Sequence, residues 1–279
     1  MTIELQDFNN KVIEEYLNGN SVLSIANKYN TNTRKIQTIL ANNDISKISQ
    51  MKRFNPLFIE DYFSIINSKE KAYWIGWLLT DGGVSNKNDI EIAIKNEDGY
   101  ILHILENDLK ISNKVKEYQN NYVRFSVSCK NMCEDLSQYG IIPNKTKTLK
   151  YPTNIPEEFD THLLRGMFDG DGGFSIGTTN RFYKHRNKSY TKPYQELSFT
   201  GTLNMCENFQ NTLLKYINMP KKNITKNHSI YRVRWNNKNE ILSICNVLYK
   251  DCDNHYLKRK YDIYQTLQNG VVANELYTN

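Results

Sequence analysis

Two aspartates carry the chemistry this chain can do. Asp81 closes the run Trp74-Ile75-Gly76-Trp77-Leu78-Leu79-Thr80-Asp81-Gly82, and Asp171 closes Leu164-Arg165-Gly166-Met167-Phe168-Asp169-Gly170-Asp171-Gly172. Each run is apolar, has Gly at its third position, ends in Asp-Gly and leads into a strand-like stretch, Val84-Ser85 or Phe174-Ser175-Ile176. A mid-helix Gly costs about 1 kcal/mol relative to Ala, so Gly76 and Gly166 need a reason, and close approach of two helix backbones supplies one. The Gly after each acid is the preferred residue just past a helix end. Each carboxylate then faces the negative end of its helix dipole, unfavourable by roughly 0.3–1 kcal/mol. A divalent cation shared between the two acids reverses that sign and can activate water for hydrolysis.

The elements around each acid repeat. After Asp81 the pattern predicts strands over 83–86 and 89–95, a helix over 98–109, strands over 114–118 and 122–129, and a helix over 131–139. Val123, Phe125, Val127 and Cys129 alternate with Arg124, Ser126, Ser128 and Lys130, so one face packs on helices and the other stays polar. The second half repeats the order, with strands near 174–177 and 195–200, a helix over 203–217, strands near 223–226 and 229–236, and a helix over 239–249. Its last strand buries Tyr231, Val233 and Trp235 and presents Arg232, Arg234 and Asn236. Lys130 and Lys238 fall at the same point of both halves, where a strand gives way to a helix. They are the sequence's candidates for balancing charge near a reacting phosphate. The stretch from Arg181 to Pro193 interleaves Arg181, Lys184, Arg186, Lys188 and Lys192 with Phe182, Tyr183 and Tyr190, as an extended hairpin following a nucleic-acid backbone would.

Residues 1–45 read as a separate three-helix unit. Val12, Ile13, Tyr16 and Leu17 form one apolar stripe, Val22, Ile25, Ala26 and Tyr29 a second, and Ile36, Ile39 and Leu40 a third. The Asn30-Thr31-Asn32 cluster ahead of the third helix supplies a turn and a cap. The unit resembles a helix-turn-helix domain, whose last helix would offer Arg34, Lys35, Gln37 and Thr38 to phosphates or base edges. Residues 46–56 read as a basic linker, 57–150 as the first half and 151–279 as the second.

Composition bounds the answer. The chain has 279 residues, 39% hydrophobic and 24% charged, with net charge +6, a pI near 8.8 and a mean hydropathy of −0.65. No apolar run approaches the roughly 20 residues that span a bilayer, and the charge favours a polyanionic partner. No targeting segment is visible. Cys129, Cys133, Cys206, Cys245 and Cys252 make no Cys-x-x-Cys pair, which reads as reduced thiols in a cytoplasmic protein. Cys245, Cys252 and His255 are too few and too irregularly spaced for a zinc site.

The two motifs, the Lys71-Ala72-Tyr73-Trp74 approach to the first, the connector Gly140-Ile141-Ile142-Pro143-Asn144-Lys145-Thr146 and the segment Tyr256-Leu257-Lys258-Arg259-Lys260-Tyr261 resemble the LAGLIDADG homing endonucleases in their single-chain, two-motif form. The resemblance covers residues 57–265. It implies an α+β fold of duplicated αββαββα halves, with saddle-shaped antiparallel sheets that straddle double-stranded DNA. It further implies a monomer with internal pseudo-two-fold symmetry that cuts both strands of a long, asymmetric target. Mg²⁺, or another divalent cation such as Mn²⁺, would sit on Asp81 and Asp171 with the backbone carbonyls of Thr80 and Gly170. A prokaryotic or phage-encoded mobile element, such as an intron, is the expected source. The chain departs from the pattern at Leu79, where many members carry an acid. Asp169, its counterpart, is read as a local hydrogen-bonding residue. Trp74 and Trp77 are bulkier than the usual Leu or Ala and are expected to widen the helix pair if anything.

Two other readings share the scaffold: a DNA-binding regulator that does not cut, and an RNA-binding intron maturase. Both acids are present, which speaks against the first. An intein is not expected from Met1-Thr2 and Thr278-Asn279.

Overall fold

The motif helices lie at the centre of the computed structural model, which describes residues 3–45, 50–183, 185 and 187–269. Helices α1 (Ile3–Leu17), α2 (Val22–Lys28), α3 (Thr33–Asn42) and α4 (Gln50–Phe54) precede the first motif helix, α5 (Lys69–Thr80). Then come β1 (Gly82–Val84), β2 (Asp89–Lys95), α6 (Tyr100–Asp108), β3 (Val115–Tyr118), β4 (Tyr122–Ser128) and α7 (Lys130–Ser137). The second half follows as α8 (Asp160–Asp171), β5 (Gly172–Tyr183), β6 (Lys188–Gly201), α9 (Leu203–Tyr216), β7 (Thr225–Asn227), β8 (Ile230–Trp235) and α10 (Lys238–Leu248). Helix α11 (Lys258–Gln268) ends the described chain.

Each half builds a four-stranded antiparallel sheet, ordered β1-β2-β4-β3 in the first and β5-β6-β8-β7 in the second. This is an α+β fold with duplicated halves, as the repeat in the sequence leads one to expect. One apolar core runs through both halves. It joins Ile92, Phe125 and Val127 of the first sheet to Leu197, Phe199 and Trp235 of the second through Trp74, Trp77, Met167 and Phe168 of the motif helices. Polar side chains cap the entrances to the helices: Ser68 accepts from the Lys71 N–H (3.4 Å) and Thr202 from the Met205 N–H (3.2 Å). Such caps satisfy backbone donors that the first helical turn leaves unpaired.

The trihelical unit has its own core of Val12, Ile25, Ala26, Ile36, Ile39 and Leu40. Asn32 caps α3 by accepting from the Lys35 N–H at 2.8 Å. The segment expected to be a bare linker contains α4; residues 46–49 lie outside the described residues. The Arg53 guanidinium stacks over the Tyr16 ring at 3.6 Å and donates to the carbonyls of Tyr16 and Asn20.

The bulk of Trp74 and Trp77 does not widen the helix pair. Both indoles are fully buried and turned to polar partners, Trp74 Nε1 to Asp108 (2.6 Å) and Trp77 Nε1 to the Tyr73 hydroxyl (2.7 Å). The crossing itself is made by glycine. A Cβ on Gly76 would lie 2.3 Å from the Leu163 carbonyl oxygen, and one on Gly166 would lie 2.0 Å from that of Tyr73. Backbone, not a movable side chain, stands in the way. Gly166→Ala should therefore lower the unfolding free energy by about 3 kcal/mol, the upper part of the usual overpacking range. Urea unfolding measures this, and a loss below about 1 kcal/mol would mean that the helices separate freely.

Candidate active site

The crossing delivers both acids to one place. Asp81 caps α5, its N–H bonded to the Trp77 carbonyl, and Asp171 is the last residue of α8. At the acid end the helices remain close, because a Cβ on Gly170 would lie 2.0 Å from Thr80 Oγ1. Thr80 turns that hydroxyl back onto the carbonyls of Gly76 and Trp77. Both carboxylates keep access to solvent, yet surrounding protein displaces much of their hydration. That loss is the largest cause raising both carboxyl pKa values. Asp171 is pushed up to about 6, and the nearby charge of Asp81 adds to the effect. Two acids disfavoured as a charged pair form a receptive place for a cation.

The cations beside the acids are Lys145 and Lys260, together with Arg259. Lys145, 7% exposed, donates to the Gly82 carbonyl at 2.6 Å. Lys260, 2% exposed, donates to the carbonyls of Phe168 (2.6 Å), Asp169 (2.7 Å) and Gly172 (2.7 Å). Lys260 thus occupies the negative end of α8, and Lys145 sits on the first carbonyl of β1, just past the end of α5. Burial lowers both ammonium pKa values, that of Lys260 to about 8, against the opposing pull of nearby aspartates. The charges of Lys260 and Lys145 in turn draw down the Asp81 and Asp171 pKa values.

Lys130 and Lys238 are not near the acids, which corrects the expectation from sequence. Asp81 extends β1 to the level of Ala93, whose partner on β4 is Arg124. Lys130 follows Ser128 at the other end of β4, beside Asp89, about 20 Å further along at roughly 3.3 Å per residue. In the second half Asp171 lies level with Thr200 and Arg232, while Lys238 comes after Trp235 at the far end of β8. The two lysines are equivalent by duplication, but equivalence does not bring them near the acids. Antiparallel pairing sends the strand ends to the opposite edge. Lys130 is exposed and pairs with Glu134 at 3.4 Å. A signal for the lysines beside the acids was present: Lys145 and Lys260 each stand in a segment that closes a half.

Asp169 is a structural acid. Its Oδ2 accepts from the Tyr73 hydroxyl and the Leu257 N–H, both at 2.9 Å. Arg165, fully buried on the same helix, donates to the carbonyls of His255 (2.7 Å) and Leu248 (3.0 Å) and to His162 Nδ1 (2.9 Å). Burial and the Arg165 charge depress the His162 pKa to about 4, leaving a neutral ring that can accept this bond.

Arg124, Ser126, Arg232, Arg234 and Asn236 lie on the polar faces of β4 and β8 or just past them, but acids share those faces. Glu91 stands 3.6 Å from Arg124, and buried Glu196 stands 3.9 Å from Arg234. The hairpin expected over 181–193 is longer still, paired continuously from Gly172↔Phe199 to Tyr183↔Lys188. Lys188 is exposed, Arg181 is described by its backbone alone, and Lys184 and Arg186 lie outside the described residues. In the trihelical unit Arg34, Lys35 and Gln37 are exposed on α3, remote in sequence from the acids.

Among the described residues no three His, Cys, Asp or Glu side chains form a metal cluster, so a cation at the paired acids would complete its shell with carbonyl, phosphate or water oxygens. The last-turn carbonyls of Thr80 and Gly170 are suited to this, since such groups lack intrahelical donors. All five cysteines are buried, and none is joined in a disulfide. Among the described residues no helix is long and apolar enough to cross a membrane.

No family model and no curated protein matches this chain. Solved structures do. The LAGLIDADG meganuclease I-AabMI, bound to uncleaved DNA, aligns with a TM-score of 0.50 at 14% identity, over 71% of this chain and 88% of that one. The meganuclease I-SmaMI, bound to uncleaveable DNA with a TTCT central four, aligns with a TM-score of 0.50 at 12% identity, over 72% of this chain and 90% of that one.

The raised Asp171 pKa has a consequence for stability. From about pH 4 to about pH 6 the unfolded chain has released this proton and the folded chain still holds it. The folded state binds more protons there, so stability falls as pH rises through this window. Melting temperatures from pH 4 to 7 in chelator should show that decline, and Asp171→Asn should flatten it. An identical slope in the variant would mean that Asp171 is an ordinary, hydrated carboxylate.

Proposed function

We propose that this chain, which has the LAGLIDADG homing-endonuclease fold in its duplicated, single-chain form, hydrolyses both strands of a double-stranded DNA target. The observation that carries this reading is the glycine crossing of α5 and α8, which brings Asp81 and Asp171 together. A divalent cation such as Mg²⁺ or Mn²⁺, held by these acids with the carbonyls of Thr80 and Gly170, would activate water and offset charge on the phosphate. Water oxygen would form the new bond to phosphorus as one P–O ester bond breaks, one water proton passing to solvent and the leaving oxygen taking a proton from solvent. Lys145 holds positive charge at this place and favours the charge that develops in the transition state.

The rest of the molecule serves to hold and read DNA. The polar sheet faces with Arg124, Ser126, Arg232, Arg234 and Asn236 track a groove, their local acids limiting non-specific attraction. The long β5–β6 ribbon, with Lys188 exposed on it, extends contact on the second-half flank. The trihelical unit, through Arg34, Lys35 and Gln37, adds phosphate and base-edge contacts on the first-half flank. The chain acts as a monomer, since both halves of the site are in one polypeptide.

Target duplexes recovered by cleavage selection from a randomised library, in Mg²⁺, test this reading. Asp81→Asn and Asp171→Asn should each abolish double-strand breaks, with DNA affinity changed less than about tenfold. Two single variants that still break both strands at the wild-type rate would sink the two-acid assignment. Replacing Arg34 and Lys35 together with Ala should shorten the footprint at one flank and reduce the salt dependence of binding by about two ions. An unaltered footprint means that α3 does not touch DNA.

A further inference from the structure

The two halves do not present equivalent cations to the acids. Lys145 and Lys260 hold matching places, each donating to the carbonyl of the glycine after its acid, Gly82 or Gly172. Their remaining capacity differs. An ammonium has three N–H donors, and Lys260 directs them at the carbonyls of Phe168, Asp169 and Gly172, all within 2.7 Å. Meeting a phosphate would require it to abandon at least one buried carbonyl, which costs that group's desolvation. Lys145 makes one such bond among the described residues.

The residue before each lysine also differs. In the first half it is Asn144, which holds a left-handed turn at φ 59°. In the second it is Arg259. Its side chain is 52% exposed, and its Nε donates to Asp98 Oδ2 at 2.8 Å. Asp98 is buried and sits in the short turn Asn96–Asp98 that precedes α6. This bond uses Nε and, among the described residues, leaves the terminal nitrogens of the guanidinium for other partners, a fork geometry that suits phosphate. Arg259, Asp98 and Asp81 line one cleft of about 370 Å³ between the β2 end of the first sheet and the chain entering α11. The Arg259 charge acts on Asp81. Lys95 is the other cation on this wall, 3.8 Å from Glu97.

We propose that Arg259, oriented by Asp98, is the cation that meets the scissile phosphate beside Asp81, and that Lys260 serves only to cap the second motif helix. This rests on the reading of the chain as a DNA endonuclease. It makes the two cleavage centres unequal: one phosphate is met by a guanidinium, the other by Lys145, and Asn144 can supply no charge in the place of Arg259. Lys260 is a positioning residue that holds the Asp171 end of α8.

The test uses the full chain and a selected target duplex in which each central phosphate is replaced in turn by an uncharged methylphosphonate. Binding is measured in Ca²⁺, so no cleavage is needed. The wild-type protein should lose affinity at one phosphate on each strand. Arg259→Met should lose its sensitivity to one of these and keep the other, and Asp98→Asn should weaken the same sensitivity. Lys95→Met should keep both. In Mg²⁺, Arg259→Met should slow one strand by roughly tenfold or more, so that nicked duplex accumulates. Lys260→Met should lower the melting temperature and retain both phosphate sensitivities in the fraction that folds. The proposal is overturned if Arg259→Met keeps every sensitivity, or if a folded Lys260→Met protein loses one. If wild-type protein binds the duplex but breaks neither strand in Mg²⁺ or Mn²⁺, the endonuclease reading fails, and the methylphosphonate pattern still decides the contact made by Arg259.

Discussion

Everything at the centre of this molecule depends on two helices that touch through their backbones. Gly76 and Gly166 leave no room for a side chain between α5 and α8, and the close approach continues to Thr80 and Gly170. That geometry forces Asp81 and Asp171 into each other's field, at helix ends where the dipoles already oppose negative charge. The helix pair is also the wall shared by both sheets, so the apolar packing that holds the fold holds the acids as well.

The chain balances this concentration of negative character with cations brought from distant sequence. Lys145 and Lys260 are buried against carbonyl oxygens rather than exposed on a sheet. An ammonium in that position offsets the unsatisfied carbonyls of a helix end and the charge of the acid beside them in one contact. Burial lowers its pKa, yet the aspartates nearby favour the charged form. Because the amines hold the helix ends, the acids are positioned before any ligand arrives.

Duplication provides the frame and the differences between halves provide direction. The sheets share one strand order, but β5 and β6 run on into a ribbon that β1 and β2 lack. The first half is preceded by a trihelical unit, and Arg259 stands where the first half has Asn144. The two flanks of the molecule therefore present different surfaces.

Much of this was legible in the sequence, for physical reasons. Two glycines at matching places in two apolar runs, each followed by Asp-Gly, imply a helix pair and a paired-acid site without any coordinates. Period-two alternation in Tyr122–Ser128 and Ile230–Trp235 fixed those strands and their buried faces. Local pattern reports local structure. The sequence could not say which cations face the acids. Lys130 and Lys238 matched each other in the repeat, yet antiparallel pairing carries them to the far end of their sheets. Lys145 and Lys260 lie 63 and 88 positions from the glycines they contact, and no periodicity spans such distances. The direction of Trp74 and Trp77 was likewise hidden, because it depends on Asp108 and Tyr73 being within reach of the indoles. The sequence by itself determined the helix pair, the two acids and the duplicated sheets, each encoded within a few neighbouring residues. Tertiary structure alone decided which charges surround the acids, because that depends on where the chain returns after folding.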